Sequence, residues 1–357
     1  MKIRAAVCRA FGEPLSVEEI DLAAPKAGEV TVRLEAVAIC HSDISYAKGD
    51  WGGPLPAVYG HEAAGRVEAV GDGVDLEPGT PVLVTLIRSC GHCIPCATGH
   101  PVACEIGTDT TGHPLSNGDE AVWQAMYSGA FAEAVTVHRS QVVPIPEGMP
   151  MDEASLLSCG VITGVGAVVN TGAFRAGQDV VVIGAGGVGL NAIQGARIAG
   201  ARRIVAVDLV ASKLEDAKVF GATDVVDGAD APWKAAKRVL GRGADLVVVT
   251  VGVNVAYEQA GRYLANGGRI VAVGMPPSDT SAALEPVIMA AANQGIVGSK
   301  MGETVIARDI PWMVDLWSQG RLKLRELVSQ HWTLDEINEA MADTAAGGAR
   351  RNVVMFR

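Results

Sequence analysis

The sequence is poor in aromatic residues and in positive charge, and each shortage excludes something. Phenylalanine, tryptophan and tyrosine make up only 4% of the 357 residues, whereas glycine, with 43 residues, exceeds its usual share of roughly 7%. We therefore expect many tight turns and close backbone approaches in place of packed side chains. The 29 lysines and arginines are outnumbered by 40 aspartates and glutamates. The resulting net charge of -11 argues against a nucleic-acid or anionic-membrane partner.

Disorder, a collagen-like repeat and membrane insertion are also disfavoured. Hydrophobic residues make up 49% of the chain and the glycines follow no period. Segment 154–174 carries no charge, but its glycines and small polar residues predict a buried helix pair between domains rather than a membrane span. Charges at Lys2 and Arg4 interrupt the amino terminus too early for a secretory signal. We therefore expect a cytoplasmic protein.

The cysteines predict one closed metal site. Seven are present, and an odd number without a signal peptide indicates reduced thiols that act as metal ligands or catalytic groups. Four of them are separated by two, two and seven residues: Cys90, Cys93, Cys96 and Cys104. Four thiolates at this spacing are typical of a structural zinc site with no open position. His92 and His100 lie in the same lobe as competing ligands, and we expect them to face solvent.

A second group of metal-binding side chains is scattered along the chain. Cys40 follows the alternating run 30–38, which predicts a strand, and His61 and Cys159 lie far downstream. Together they would form a three-ligand zinc site that leaves a fourth position open for water or substrate. Asp43 would then orient His61. Spacing alone does not bring such distant residues together, so a zinc site and separate core residues both remain open.

A glycine-rich turn predicts dinucleotide binding. The run 179–183, apolar after Asp179, predicts a buried strand, and a helix is expected over 190–199. Between them lies a G-x-G-x-x-G match formed by Gly184, Gly186, Gly187, Val188 and Gly189. Asp208 ends a second predicted strand, 203–207, where it would bind ribose hydroxyls and repel a 2'-phosphate. NAD is therefore favoured over NADP, and the alternative is a glycine-rich turn without a ligand.

Strands and helices continue to alternate after this turn. Further strands are predicted at 223–226, 245–249, 268–273 and 296–298. Six strands with intervening helices predict one doubly wound parallel sheet. Residues 1–150, with short strands between glycines and prolines, are expected to be mainly β. The fold class is therefore α/β, with a β-rich metal domain followed by a nucleotide domain.

These features together resemble the zinc-dependent medium-chain alcohol dehydrogenase family along essentially the whole chain. The motifs that carry the resemblance are Gly60-His61-Glu62-Ala63-Ala64-Gly65, the four-cysteine lobe, Cys159, the 184–189 turn with Asp208, and Arg351-Asn352-Val353-Val354. The resemblance implies a GroES-like catalytic domain, 1–160, completed by 301–357, and a Rossmann domain, 161–300. The layout is similar to the class III branch, which contains thiol-dependent formaldehyde dehydrogenases.

The resemblance also implies roles for individual residues. Glu62 would approach the catalytic zinc, and Ser42 would receive the alcohol proton. Cofactor contacts are implied for His41, Lys213, Val273 and Arg351, and a substrate pocket for Trp51, Leu86 and Met275. The position three after Ser42, often a histidine in the family, is Ser45, so the usual proton relay is in doubt.

The function implied is hydride transfer between a zinc-bound alcohol and NAD, reversible with an aldehyde or ketone, with two zinc ions per subunit. One alternative is a dehydrogenase of S-(hydroxymethyl)thiol adducts, for which Arg88 and Arg139 would bind the thiol's carboxylates. Another is a non-enzymatic nucleotide-binding scaffold. The expected partners are a small alcohol or aldehyde and further copies of the chain, as a homodimer or homotetramer joined through edge strands of the nucleotide domain.

Overall fold

The computed structural model describes residues 1–105 and 113–356 and divides into two compact units. The first unit comprises Met1–Cys159, Val305–Gly320 and Leu324–Arg357, and the second comprises Gly160–Thr304 and Arg321–Lys323. The chain thus leaves the first unit and returns to it.

The described strands, in chain order, are β1 (Lys2–Cys8), β2 (Ser16–Leu22), β3 (Glu29–Ala38), β4 (Ala57–Val58), β5 (Glu62–Val70), β6 (Pro81–Val84), β7 (Leu115–Asn117), β8 (Glu120–Gln124), β9 (Ala134–His138), β10 (Val142–Pro144), β11 (Asp179–Ile183), β12 (Arg203–Asp208), β13 (Asp224–Asp227), β14 (Ala244–Val249), β15 (Leu264–Ala272), β16 (Gly295–Gly298), β17 (Val328–Trp332) and β18 (Arg351–Met355). The described α-helices are α1 (His41–Lys48), α2 (Ile94–Ala97), α3 (Met151–Leu156), α4 (Gly160–Gly166), α5 (Gly187–Ile198), α6 (Ala211–Phe220), α7 (Pro232–Leu240), α8 (Asn254–Ala260), α9 (Pro286–Ala291), α10 (Ile306–Ser318) and α11 (Ile337–Ala346).

The first unit is mainly β, as expected. Five strands, β1, β2, β7, β8 and β4, close into a barrel. A second sheet has the order β10-β6-β5-β3-β18-β17, and β9 pairs with β3 beside this path. β3 holds this sheet together because it pairs antiparallel with β5, β9 and β18. Its alternating residues Val30, Val32 and Leu34 are buried in the core of the unit.

The second unit confirms the predicted six-stranded parallel sheet, with the order β13-β12-β11-β14-β15-β16. All five residues of β11 are buried, which explains why residues 180–183, after Asp179, form an uninterrupted apolar run. β15 differs from the predicted 268–273, because it begins at Leu264 and its pairing with β14 shifts register between Ala244 and Leu246.

Segment 154–174 forms the end of α3, then α4 and a π-helical turn over Ala167–Thr171. Every residue of α4 is buried. A Cβ on Gly164 would lie 2.3 Å from the Val188 carbonyl oxygen, so glycine allows α4 to pack directly on the backbone of α5. Among the described residues, no helix is long and apolar enough to cross a membrane.

Candidate functional site

Four side chains from distant parts of the sequence converge in the first unit. Ligand atoms of Cys40, His61, Glu62 and Cys159 all lie within 4.8 Å of one another, and all four residues are buried. Two thiols, one imidazole and one carboxylate form a donor set suited to zinc. The group therefore contains all three ligands predicted for a catalytic metal, together with Glu62.

Strand pairing explains this convergence. Ala38 at the end of β3 lies opposite Glu62 at the start of β5. Cys40, two residues beyond β3, therefore comes close to Glu62 and to the preceding residue, His61. Ala38 also lies opposite Val353 of β18, which brings the carboxyl-terminal strand to the same place. The Ser158 hydroxyl donates to the Ala63 carbonyl at 3.0 Å and ties the turn before Cys159 to β5.

The Asp43 carboxylate contacts three groups around the ligand group. Its Oδ2 accepts from the Cys40 backbone N–H at 2.9 Å, and its Oδ1 accepts from the Gly60 N–H at 2.9 Å. The same Oδ1 lies 3.1 Å from His61 Nδ1. Because a carboxylate only accepts, Nδ1 carries the proton and the lone pair of Nε2 faces the ligand group.

His61 Nε2 provides the test of whether a metal fits. This atom is buried and has no hydrogen-bond partner among the described residues. An unpaired buried acceptor is costly unless a ligand satisfies it. A zinc ion held by the two thiolates would supply the missing partner, so the residues present fit the ion.

Glu62 is paired on its other side with Arg351. Arg351 Nη2 lies 3.0 Å from Glu62 Oε1, and Nη1 donates to the Ile39 carbonyl at 3.2 Å. Glu62 is fully buried and Arg351 is 6% exposed. Burial raises the pKa of Glu62 to about 8, although the charge of Arg351 opposes this rise. The pyrophosphate contact implied for Arg351 stays a prediction.

The two thiols differ in acidity. A hydrogen bond from the Cys159 thiol lowers the pKa of Cys40 well below its ordinary value, and the nearby charge of Arg351 acts in the same direction. The same hydrogen bond raises the pKa of Cys159. Cys40 is thus favoured as a thiolate, the form that binds metal.

The second metal-binding group is the four-cysteine lobe. The sulfurs of Cys90, Cys93, Cys96 and Cys104 lie within 4.8 Å of one another. The Cys90–Cys96 and Cys93–Cys104 sulfur distances are 4.0 and 3.8 Å. Zinc–sulfur bonds of ~2.3 Å place tetrahedral sulfurs roughly 3.8 Å apart, so the lobe fits a zinc ion. His92 is exposed and points Nδ1 at the Cys90 carbonyl, outside the ligand group.

The phosphate-binding turn is built in the second unit. Gly184, with φ of 95°, leaves β11, and Gly186 precedes α5. A Cβ on Gly189 would lie 1.8 Å from the Gly184 carbonyl oxygen, so only glycine allows this turn. Asp208 Oδ2 accepts from the Ala185 N–H at 2.8 Å. Because α5 begins at Gly187, its amino terminus lies at the turn, an arrangement that favours an anionic pyrophosphate.

The remaining predicted residues lie in varied settings, and the roles implied for them stay predictions. Ser42 Oγ lies 3.7 Å from Cys40 Sγ. Trp51 and Leu86 are half-buried, and the Trp51 ring meets Tyr46 edge-on at 5.0 Å. The cofactor and pocket residues outside the turn range from exposed to half-buried: His41, Lys213, Val273 and Met275.

Two features went unpredicted. The Glu62–Arg351 ion pair depends on strand pairing and has no local signal. Thr250, whose hydroxyl donates to the Gly184 carbonyl at 3.0 Å, directly follows a predicted strand. A polar residue at the carboxyl end of a parallel strand is a signal that would have identified it.

Replacing Asp43 with asparagine is expected to lower zinc affinity at the first site by ~10–100-fold. An amide offers one acceptor oxygen where the carboxylate offers two, so the hydrogen bonds that orient Cys40 and His61 cannot both be kept. Competition with a chelator measures the effect. Asp50→Asn, on the exposed turn after α1, is the matched control and should leave the affinity unchanged. Equal affinities in the two variants would show that Asp43 does not orient the ligands.

Comparison with known proteins agrees with both units. Residues 26–147 match the family "Alcohol dehydrogenase GroES-like domain", and residues 187–319 match "Zinc-binding dehydrogenase". The chain is 36% identical over 367 residues to the NDMA-dependent alcohol dehydrogenase of Amycolatopsis methanolica, covering 99% of each sequence.

Solved structures show the same similarity. Benzyl alcohol dehydrogenase from Acinetobacter calcoaceticus is 30% identical and superposes with a TM-score of 0.95, covering 100% of both chains. A zinc-binding dehydrogenase from Sinorhizobium meliloti 1021 bound to NADP is 25% identical, with a TM-score of 0.84 over 100% of both chains. These similarities do not specifically support the class III branch.

Proposed function

Because the chain belongs to the zinc-containing medium-chain alcohol dehydrogenase family, we propose that it oxidises primary alcohols of moderate size with NAD. It is an oxidoreductase acting on CH–OH groups, and the proposal extends this activity to a substrate class and a cofactor. The observation that carries the alcohol chemistry is the buried ligand group with an unpartnered His61 Nε2. The bulky, half-buried Trp51 and Leu86, which the resemblance implies for the substrate pocket, support primary alcohols of moderate size. The scaffold alternative is set aside because the family and this ligand group both indicate an enzyme.

The chain's own residues hold and orient the reacting groups. Cys40, His61 and Cys159 would hold the catalytic zinc, and Asp43 fixes the ring of His61. When bound, zinc polarises the substrate oxygen as a Lewis acid and NAD takes up the hydride.

Ser42 is the proposed first relay of the alcohol proton, because its hydroxyl can accept that proton while it passes its own proton onward. Its hydroxyl lies beside Cys40 and is half-buried, so it is within reach of a substrate at this site. Ser45 does not act as a base near neutral pH. The proton is therefore proposed to leave through ribose hydroxyls and water rather than through a side-chain base at position 45.

Asp208 is proposed to select NAD. It ends β12, and its carboxylate is fixed by the N–H groups of Ala185 and Val210. A fixed negative charge at this point accepts hydrogen bonds from ribose hydroxyls and repels a 2'-phosphate.

Replacing Asp208 with glycine is expected to lower the ratio of kcat/KM for NAD to that for NADP by at least about tenfold, or ~1.4 kcal/mol. Glycine removes both the hydroxyl acceptor and the charge that repels phosphate. Initial rates with each cofactor give the ratio. Asp227→Gly, at the end of the neighbouring strand β13, is the control. An unchanged ratio in Asp208→Gly would refute the selection role.

A substrate panel tests the proposed function directly. Purified protein is assayed for zinc content and for NAD reduction with short, branched and aromatic alcohols, and with formaldehyde with and without low-molecular-weight thiols. We expect two zinc ions per subunit and turnover of primary alcohols. Turnover only of formaldehyde with thiol would establish the adduct dehydrogenase instead. One zinc ion and no turnover of any substrate would overturn both proposals.

We also propose that the protein is a homo-oligomer in the cytoplasm. The edge strand β16 and the exposed side chains of Val287, Ile288 and Ile296 support a homodimer or homotetramer formed through the second unit. All seven cysteines lie in the described residues and none forms a disulfide, which supports a cytoplasmic location.

A further inference from the structure

The first peptide of the phosphate-binding turn is held from both sides. The Gly184 carbonyl accepts from Thr250 Oγ1 at 3.0 Å, and the Ala185 N–H donates to Asp208 Oδ2 at 2.8 Å. These two groups belong to the same peptide plane. Thr250 follows β14 and Asp208 ends β12, and these strands flank β11 on either side. The plane is thus fixed between side chains from both neighbouring strands.

The Thr250 hydroxyl also fills the space that the glycines leave. A Cβ on Gly184 would lie 2.8 Å from Thr250 Oγ1, and one on Gly189 would lie 3.1 Å from it. The hydroxyl therefore sits between the first and last glycines of the turn. The Thr250 hydroxyl also lies 3.0 Å from the Ile183 carbonyl. That carbonyl already accepts a hydrogen bond from the Thr250 backbone N–H at 2.9 Å. Loss of the hydroxyl would remove this donor from both carbonyls, but the Ile183 carbonyl would keep the Thr250 backbone N–H.

The support from Thr250 and Asp208 matters because the glycine backbone alone does not restrict rotation of the Gly184–Ala185 peptide plane. Gly184 has a φ of 95° and no Cβ to restrict rotation of the plane that follows. Rotation there would turn the amides that lead into α5, and a pyrophosphate is bound by such amides. An outside support is needed to hold them ready before the ligand arrives.

We infer that Thr250 is a positioning residue for the cofactor pyrophosphate, acting through the Gly184–Ala185 peptide together with Asp208. The inference rests on the proposed use of NAD and adds a residue that touches the turn rather than the substrate. The two residues have different proposed roles. Asp208 supports the turn and also binds the ribose, whereas Thr250 only supports the turn.

Thr250→Val and Thr250→Ser test whether the Thr250 hydroxyl positions the turn for the pyrophosphate. Valine keeps the shape and removes the donor, whereas serine keeps the donor. Binding of ADP-ribose, which carries the pyrophosphate, is measured by calorimetry, and binding of adenosine, which lacks it, by competition with NADH. We expect valine to weaken ADP-ribose about tenfold and leave adenosine unchanged, with serine close to the parent protein. The KM for NAD should rise by a similar factor while kcat changes less than twofold.

The alternatives give different results. Equal weakening of both ligands, or a serine variant as weak as the valine variant, would mean general destabilisation and would overturn the inference. So would a valine variant that binds ADP-ribose as tightly as the parent protein. Should the valine variant fail to fold, Thr250→Ala carries the same prediction. Parent protein that binds no ADP-ribose would overturn the proposed function itself.

Discussion

Replacing Cys159 with alanine is expected to reduce kcat/KM for alcohols by at least ~10³-fold and to lower the zinc content from two ions to one per subunit. Cys159 supplies one of the two sulfur atoms of the buried ligand group and would bind zinc as a thiolate. A Lewis-acid metal contributes several kcal/mol to such a reaction, and each ~1.4 kcal/mol is a factor of ten in rate. Metal analysis and initial rates on the same preparation measure both effects.

Cys8→Ala is the matched control for this variant. Cys8 is also fully buried, but its thiol points at the Ala10 carbonyl, 3.4 Å away, in the core of the first unit. It should keep both zinc ions and full activity. If Cys159→Ala also keeps two zinc ions and the parent rate, the ligand group does not hold the catalytic metal.

The second large effect is expected at the four-cysteine lobe. Cys96→Ser should lose the other zinc ion and sharply lower the resistance of segment 90–104 to proteolysis. Few side chains of this segment are buried, and none is buried in α2, so little apolar packing remains once the metal is lost. Structural zinc binds small domains with ~10–16 kcal/mol, a contribution that the lobe has no means of replacing.

His92→Ala separates the two possible ligand types in this lobe. The imidazole lies between Cys90 and Cys93 in sequence but only approaches the Cys90 carbonyl, at 2.9 Å. The variant should retain both zinc ions and the parent protease resistance. Loss of zinc in His92→Ala, with retention in Cys96→Ser, would replace the four-cysteine assignment with one that includes the histidine.

The fold of the second unit was predictable because its signals are local. β11 has the same bounds as predicted, since both faces of a central parallel strand are buried and its residues 180–183 are all apolar. The glycine pattern was predictable as well, because its residues follow β11 directly along the chain. The bounds of β15 were not predictable, because its extension to Leu264 follows a register shift against β14.

The two candidate metal sites differ in how close their ligands lie in the sequence. The four cysteines of the lobe lie within fifteen residues, so their spacing alone predicted a metal site. Cys40, His61 and Cys159 span 120 positions, and for them the chain offered residue types without proximity. Their ligand chemistry supplied the hypothesis, the resemblance to a family favoured it over separate core residues, and the pairing of β3 with β5 supplies the physical cause.

The sequence by itself determined the elements whose cause is local: the phosphate turn, the closed cysteine lobe, the alternation of strands and helices, and the excess of negative charge. The tertiary structure alone decided which distant groups touch. It placed the Arg351 guanidinium against the Glu62 carboxylate and the Thr250 hydroxyl against the Gly184 carbonyl. The reason is that burial and hydrogen bonding depend on the register between strands far apart in the chain, whereas spacing constrains only neighbours.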